Sequence, residues 1–566
     1  MKEGVSMTLK YFIARDNKII GLRFEDEGIL KDAYLSSFDD VTELDALNLG
    51  YLRGVKSYTD DLITPEELLS GTKIECVFDK EELFKSVKIF ERPSTHTEIT
   101  LDFEREVELS MFDWYYNRPD KLLYVSGARQ TGKTYAIKKF IKKVWGSLSI
   151  EDGVYLLNLT DEGVRQRLSE YRSQSRPYNP NKLGIESFVE FLFPDFDANK
   201  AKVLYIDEIQ EDAGLYNCIR EFARERSCRL IVSGSYLNIV SEAELGQNIF
   251  KPPAGGDYPI TMRSLSFIEF LQANGVINSQ VLFKSVNEYT AEDNALFEEV
   301  QRLYSVYLQI GGYPEVVKEY ILTQSIDSAK VLLSALIHNY FEESKPYLAK
   351  CKPMVDFDDT FESILSVVTD TNKRFKTKDL PVEVRDKMSR SKGSISMDDV
   401  WHTLNWLESG GFIKKIRKYV DLKDLLNYAT SQRYYFYDLG VINYVASQLS
   451  LPESTLNGYL AENFAFLQIL ETGRIATNTL GYAYFVGDKN IGNAELDFVY
   501  KDENKGSYVG VEVKFTNSEA KTLKKVRNSG MLKYTVKAVN AKTSIESGTI
   551  PIFLLRFYCM LSDASF

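Results

Sequence analysis

Gly127-Ala128-Arg129-Gln130-Thr131-Gly132-Lys133-Thr134 is the stretch on which the fold turns. It satisfies the pattern GxxxxGK[ST] in full. An unbroken apolar run, Leu122 to Val125, precedes it. The segment that follows places Ile137, Phe140, Ile141, Val144 and Trp145 on one helical face and Lys138, Lys139, Lys142 and Lys143 on the other. Strand, glycine-bearing loop, then helix is the context in which this pattern holds phosphate. The glycines let backbone N–H groups wrap an anion, and the helix N-terminus adds a favourable dipole. All eight residues are therefore expected to bind ATP, with Lys133 reaching the β- and γ-phosphates and Thr134 ligating Mg2+.

Downstream, Val203-Leu-Tyr-Ile206-Asp207-Glu208 supplies a second carboxylate site: four apolar residues, then two acids at the end of the run. Ligands bind at the C-terminal edge of a parallel sheet. Asp207 is expected to hold Mg2+, directly or through water, and Glu208 to polarise the attacking water. Leu230-Ile-Val232-Ser233-Gly234-Ser235 is a further buried run ending in small polar residues. Ser235 is either a sensor of the γ-phosphate or the cap of a strand-to-helix turn. With Val154 to Leu157, these short unbroken runs suit parallel strands covered on both faces, so residues 96–265 read as an α/β domain.

The chain is 566 residues long, enough for three or four domains at ~150 residues each. Hydrophobic residues make up 44% and charged residues 27%, which excludes wholesale disorder. With 69 basic against 81 acidic residues the formal charge is −12, which excludes a uniformly basic coat for nucleic acid but not a local patch. Cys76, Cys218, Cys228, Cys351 and Cys559 are scattered without a CxxC, and the 3 histidines (His96, His338 and His402) lie far apart. Neither a disulfide framework nor a His-rich metal centre fits, and a reducing compartment does. The N-terminus lacks the apolar core of a signal peptide, and no apolar run is long enough for a span, which reads as a cytoplasmic chain. Residues 1–95 read as a small β-rich module, with a hairpin over Tyr11–Ile20 and short strands at Lys73–Phe78 and Val87–Phe90.

The order Gly127-Ala-Arg-Gln-Thr-Gly-Lys-Thr, Asp207-Glu208-Ile-Gln, Ser233-Gly-Ser, Leu265-Ser-Phe-Ile-Glu-Phe270 and Gly311-Gly-Tyr-Pro-Glu315 resembles that of a group of prokaryotic AAA-type ATPases with a C-terminal domain of unknown function. The resemblance covers roughly residues 100 to 566. It implies an α/β multidomain chain: an AAA-type P-loop core (96–265), a helical lid (266–345), a winged helix (356–450) and a restriction-endonuclease-like domain (453–566). One departure matters. The group usually has Gly-Arg ahead of the Leu-Ser-Phe stretch, where this chain has Gly246-Gln247. If that arginine neutralises the transition state, the role is vacant or passes to Arg263, and a finger arginine is worth ~10³ or more in rate.

Within 356–450, Thr377 to Lys387 reads as a first helix. Ser396-Met-Asp-Asp-Val-Trp401 opens a second, with Val400, Leu404 and Leu407 at core spacing. Ile413–Tyr419 and Gln432–Tyr437 suit wing strands. Lys373, Arg374, Lys376, Lys378, Arg385, Lys387, Arg390 and Lys392 form a phosphate-contact footprint. Asp398 and Asp399 at the start of the second helix would repel phosphate, so a winged helix that only packs domains is equally compatible.

In the last segment, Glu495-Leu-Asp497-Phe-Val-Tyr500 and Tyr508-Val-Gly-Val-Glu512-Val-Lys514 alternate as strands around a turn at Asn504-Lys505. That turn sets Asp497 opposite Glu512 on one face, with Lys514 beside them. Opposed carboxylates repel unless a cation such as Mg2+ lies between them. Lys514 would then position water or stabilise charge on phosphate. This is the D…ExK pattern of restriction-like nucleases, and Glu462 matches the helix acid of the resembled group. Metal-dependent phosphodiester hydrolysis is one reading, with Asp497, Glu512 and Glu462 on the metal and Glu512 and Lys514 catalytic. The other is a hairpin whose acids pair with Lys514. Lys514, Lys521, Lys524, Lys525, Arg527, Lys533 and Lys537 suit a nucleic-acid backbone.

The expected function is thus Mg2+-dependent ATP hydrolysis, with Lys133 and Glu208 catalytic, controlling a half that engages nucleic acid, DNA before RNA. If the hairpin is competent that half cleaves DNA, in defence against foreign DNA. The alternative is a non-cutting, nucleotide-dependent regulator or scaffold. No membrane partner is expected, and a homo-oligomer is compatible.

Overall fold

The structure is a computed structural model. It describes residues 105–118, 121–173, 184–234, 257–276, 282, 286–350, 396–419, 432–449, 451–476, 479–488, 492–516, 519–530, 532–543 and 548–560, short pieces at 360, 362–366, 382 and 384–386, and six strands within the first 90 residues. Those six strands are β1 (Ser6–Arg15), β2 (Lys18–Asp26), β3 (Ile29–Leu35), β4 (Val55–Ser57), β5 (Ile74–Phe78) and β6 (Val87–Phe90). They form an antiparallel sheet ordered β4-β5-β1-β2-β3-β6, in which Arg15 pairs with Lys18 across the first hairpin.

The second sheet is parallel throughout: β7 (Leu122–Ser126), β8 (Val154–Asn158), β9 (Val203–Asp207), β10 (Arg229–Gly234) and β11 (Asp257–Thr261), in the order β11-β7-β10-β9-β8. Period-two alternation divides its apolar residues between two faces. Leu122, Tyr124, Leu204, Ile206, Leu230 and Val232 pack with Phe188, Ile219 and Phe222 on one side. Leu123, Val125, Val203, Tyr205 and Ile231 pack with Met111, Trp114, Ile137 and Phe140 on the other. Both faces are covered, which is why these strands carry no polar stripe.

The third sheet has seven strands: β12 (Ile413–Tyr419), β13 (Gln432–Phe436), β14 (Gly481–Asp488), β15 (Gly492–Asp502), β16 (Ser507–Lys514), β17 (Tyr534–Val539) and β18 (Thr549–Pro551), in the order β13-β12-β14-β15-β16-β17-β18. The two strands read as wings pair antiparallel, Ile413 with Phe436 and Arg417 with Gln432. β12 then pairs in parallel with β14, Arg417 with Gly481. The wing strands and the C-terminal hairpin are therefore parts of one sheet, and the division placed at 450/453 runs through it. One hydrophobic core joins Phe267, Tyr304 and Tyr307 of the 266–345 helices, Val400, Leu404 and Leu407 of helix Met397–Ser409, and Phe464, Phe498 and Phe553 of the C-terminal part. Edge-to-face rings cross these segments, with Phe464 lying 4.7 Å from Tyr304 and 5.2 Å from Phe267 between centroids. Among the described residues no helix is long and apolar enough to cross a membrane.

Candidate functional site

β7 ends at Ser126, and the chain turns through the glycine-bearing loop into helix Lys133–Trp145. That helix buries Ala136, Ile137, Phe140 and Ile141 against the sheet. The turn needs left-handed backbone at Gln130 (φ 61°) and Gly132 (φ 87°), and φ 153° at Gly127. A Cβ on Gly127 would lie 2.1 Å from the Met262 carbonyl oxygen, so only glycine fits where the loop passes β11's exit. Thr131 Oγ1 closes the loop by donating to Ala128 O at 2.9 Å.

Lys133 is buried, and its ammonium donates to Gly127 O (3.1 Å) and Ala128 O (2.8 Å). Burial holds its pKa below the ordinary lysine value, while Glu208 and Asp207 pull the other way. Thr134 Oγ1 donates to Asp207 Oδ2 at 2.6 Å. Asp207 Oδ1 accepts from the Glu208 amide at 3.1 Å and from the Ser233 hydroxyl. Ser233 in turn meets the Tyr205 hydroxyl at 2.8 Å. Burial, then the adjacent Asp207 charge, raises the Tyr205 pKa well above the usual phenol range. Glu208 adopts left-handed backbone, φ 55° and ψ 47°, and its carboxylate accepts from the Gln210 amide. For a non-glycine residue such backbone costs ~1 kcal/mol or more. The loop and the β9 carboxylate thus meet at the C-terminal edge of the parallel sheet. Two hard oxygen groups, Thr134 and Asp207, converge there, a donor chemistry that fits Mg2+.

Residues 119–271 match a family model described as an AAA domain. The chain carries a P-loop ATPase domain of the AAA type. Residues 301–453 match a second model, described as a domain of unknown function (DUF8612). No curated protein matches. Among solved structures, the chain is similar to a Walker-type ATPase of Pyrococcus abyssi, with 14% identity, a TM-score of 0.36, and coverage of 61% of this chain and 96% of that one. It is also similar to the Aeropyrum pernix ORC1 protein in complex with DNA, with 12% identity, a TM-score of 0.26, and coverage of 63% and 94%. A third is Drosophila ORC bound to DNA, with 10% identity, a TM-score of 0.23, and coverage of 63% and 89%.

The ATPase loop is roofed by the segments that follow it. Arg263, Ser264, Tyr313, Gly411, Phe412, Tyr437 and Asp438 line a small pocket together with Ala128 and Thr131. The Arg263 guanidinium stands 5.0 Å over the Tyr437 ring, and its Nε is buried without a hydrogen-bond partner among the described residues. The two stretches beyond the phosphate loop quoted as Leu265-Ser-Phe and Gly311-Gly-Tyr-Pro bind each other, Leu265 N donating to Gly312 O at 2.7 Å. Gly311 has φ 70°, and a Cβ there would sit 2.0 Å from Asp438 Oδ1. Asp438 accepts from Gly312 N (2.9 Å) and Gly440 N (2.8 Å), and burial raises its pKa despite these donors.

The second constellation is arranged differently from the expectation of a metal centre. The hairpin register, Phe498 with Val511 through Asp502 with Ser507, continues to set Asp497 across from Glu512. The acids, however, already have partners. Asp497 Oδ2 accepts from Val513 N at 2.7 Å. Glu512 accepts from Leu523 N at 3.0 Å and pairs with Lys514 at 2.9 Å. Glu462 accepts from Tyr435 and pairs with Arg433 at 3.4 Å, and Arg433 also pairs with Glu495. The same guanidinium lies 4.1 Å from the Tyr482 ring centroid. Burial, then the charge on Glu462, pushes Asp497 up to about 7. Among the described residues no three His, Cys, Asp or Glu side chains converge to hold a metal. Glu462 is paired with Arg433, Glu512 with Lys514, and Asp497 with a backbone amide instead.

Ser235, Gly246-Gln247 and the basic run at 373–392, apart from Arg385, lie outside the described residues. Arg385 pairs with the adjacent Asp386 at 2.7 Å. Sequence reading missed Arg105, Ser233, Arg433, Tyr435 and Glu495. Ser233 and Arg433 had a signal: Ser233 shares a sheet edge with Asp207, and Arg433 shares a strand face with Tyr435 at spacing two. Arg105 had none, sitting in a charged stretch that reads as solvated.

Proposed function

We propose that this protein is a Mg2+-dependent ATPase whose nucleotide state sets the pose of its C-terminal half. The observation that carries the reading is the Thr134–Asp207 contact beneath a fully formed phosphate loop. In this reading the loop amides of residues 127–134 bind the triphosphate. Lys133 leaves the carbonyls of Gly127 and Ala128 for the β- and γ-phosphates. Thr134 and Asp207 would hold Mg2+, which neutralises phosphate charge when bound. Glu208 orients the attacking water, and Arg263, beside Ala128 and Thr131, supplies the positive charge that Gln247 does not. Calorimetry with ATP on wild type and Lys133→Ala tests the assignment: uptake by wild type and none by the variant is expected. Equal uptake by both would remove Lys133 from the site.

For the C-terminal half we infer a nucleotide-dependent binding module for DNA or protein that does not cut. What supports this is that Arg433, Lys514 and backbone amides occupy the acids a nuclease would offer to metal. The competing reading, a DNA-cleaving and DNA-defence role through Glu462, Asp497, Glu512 and Lys514, draws on the hairpin register. A panel of DNA and RNA substrates with Mg2+ or Mn2+, with and without ATP, separates the two. Cleavage lost in Glu512→Ala or Lys514→Ala with ATPase intact would establish the cutting reading.

A further inference from the structure

The phosphate loop is fastened from outside by one residue pair. Arg105 is buried and makes three directed bonds: Nη1 to Thr131 O (2.9 Å), Nη2 to Arg263 O (2.7 Å) and Nε to Glu269 Oε1 (3.0 Å). A guanidinium suits three fixed acceptors at once because its donors form a planar fork. Glu269, also buried, is the third residue of helix Phe267–Ala273 and closes a capping box with Ser266. Its Oε1 also accepts from Glu106 N at 2.7 Å.

The next side chain points to the far end of the chain. Glu106 binds Arg556 bidentately, Oε2 from Nη1 and Oε1 from Nη2, each at 2.9 Å. Arg556 lies on the terminal helix Leu555–Met560, is buried, and stands 3.7 Å from Glu471. Consecutive residues 105 and 106 therefore touch the phosphate-binding loop on one side and the C-terminal core on the other. Thr131 lies inside the loop whose amides must close on phosphate, so any shift of its carbonyl moves the Arg105 fork.

We propose that Arg105 is a positioning residue for the phosphate loop, and that Glu106 with Arg556 passes the loop's state to the C-terminal half. The proposal rests on reading residues 127–134 as an ATP site. It specifies the joint through which that site would act.

Two measurements on the full-length protein test it. The first is steady-state ATP hydrolysis by wild type, Arg105→Lys and Arg105→Ala. Loss of loop placement lowers kcat by about tenfold to a hundredfold in Arg105→Ala with a smaller change in KM. Arg105→Lys recovers part of kcat, since one ammonium reaches only some of the three acceptors. A merely structural role would lower thermal stability and the active fraction, with KM and per-site kcat unmoved. The second is hydrogen exchange over Leu555–Met560 with and without a non-hydrolysable ATP analogue. Wild type should change protection there on binding. Arg556→Ala should bind the analogue with unchanged affinity yet show no change at the helix. Unaltered kcat and KM in Arg105→Ala, or an intact exchange response in Arg556→Ala, overturns the proposal while leaving the ATPase reading standing. No analogue uptake by wild type overturns that reading and this proposal with it.

Discussion

Replacing Arg433 by methionine asks whether a protein cation holds the C-terminal acids together. The substitution keeps an unbranched stem against Tyr482 and removes the charge. Arg433 faces Glu462 and Glu495, with side-chain exposures of 22%, 28% and 28%. Breaking a fully buried pair costs ~3–5 kcal/mol and an exposed one ~0–1, so a pair about a quarter exposed falls near ~2 kcal/mol. The guanidinium on Tyr482 adds ~0.5–1 kcal/mol. The total is about 3 kcal/mol at pH 8, above the Asp497 value. Asp497, pushed up to about 7, is the group that makes this pH-dependent. Its folded pKa stands above its unfolded value, so the folded state binds the extra proton between roughly pH 4 and 7, and stability falls as pH rises through that window. Arg433 lowers that pKa, so its loss makes the fall steeper. At pH 5.5 protonation of Asp497 relieves its share of the repulsion, so the penalty is smaller than at pH 8. For a unit of 150–250 residues, 1 kcal/mol moves Tm by ~2–4 °C. Differential scanning calorimetry should therefore show Arg433→Met melting about 6–12 °C below wild type at pH 8 and by a smaller margin at pH 5.5. Equal drops at the two pH values would refute the electrostatic account, and no drop at either would show that the acids need no cation.

Three further outcomes follow from local geometry. Gly127→Ala forces a Cβ into the Met262 carbonyl, and calorimetry should find ATP uptake lost or weakened at least tenfold. Asn463 is fully buried and bridges Phe436 N (2.7 Å) and Phe436 O (2.8 Å); Asn463→Ala leaves both groups unpaired and should cost ~2–4 kcal/mol in thermal melts. Burial pushes Glu471 up to about 8 against the opposing pull of Arg556. The folded state then holds a proton the unfolded state has released, so wild-type Tm should decline from about pH 5 to 8, and Glu471→Gln should flatten that decline.

What could be read from the chain was local. The phosphate loop, β9 with its two acids and the register of the C-terminal hairpin each depend on residues within about fifteen positions, where periodicity and turn chemistry act directly. Strand order does not. Ile413–Tyr419 was legible as a strand, but its parallel pairing with Gly481–Asp488 is decided across more than sixty residues by which edges the shared core leaves open. The same distance hid Arg433, whose strand looked like an aromatic wing until folding brought Glu462 and Glu495 to it. Distance hid Arg105 as well, whose acceptors are 26, 158 and 164 residues away.

These missed residues share a physical character. Arg105 with Glu269, Arg556 with Glu106, and Arg433 with Glu462 and Glu495 are cations set between segments distant in sequence. Ion pairs that are buried or partly buried contribute little net stability against an apolar replacement, yet are costly to half-break. In the shared core, apolar contacts such as Phe464 on Tyr304 supply the cohesion without directional bonds. The arginine seams are directional, and each displaced guanidinium strands a carboxylate. Their effect is therefore to make relative position of segments discrete. A seam is either made or re-made elsewhere, and the one that touches Thr131 stands where an arriving triphosphate would bring the largest change in charge that the domain can experience.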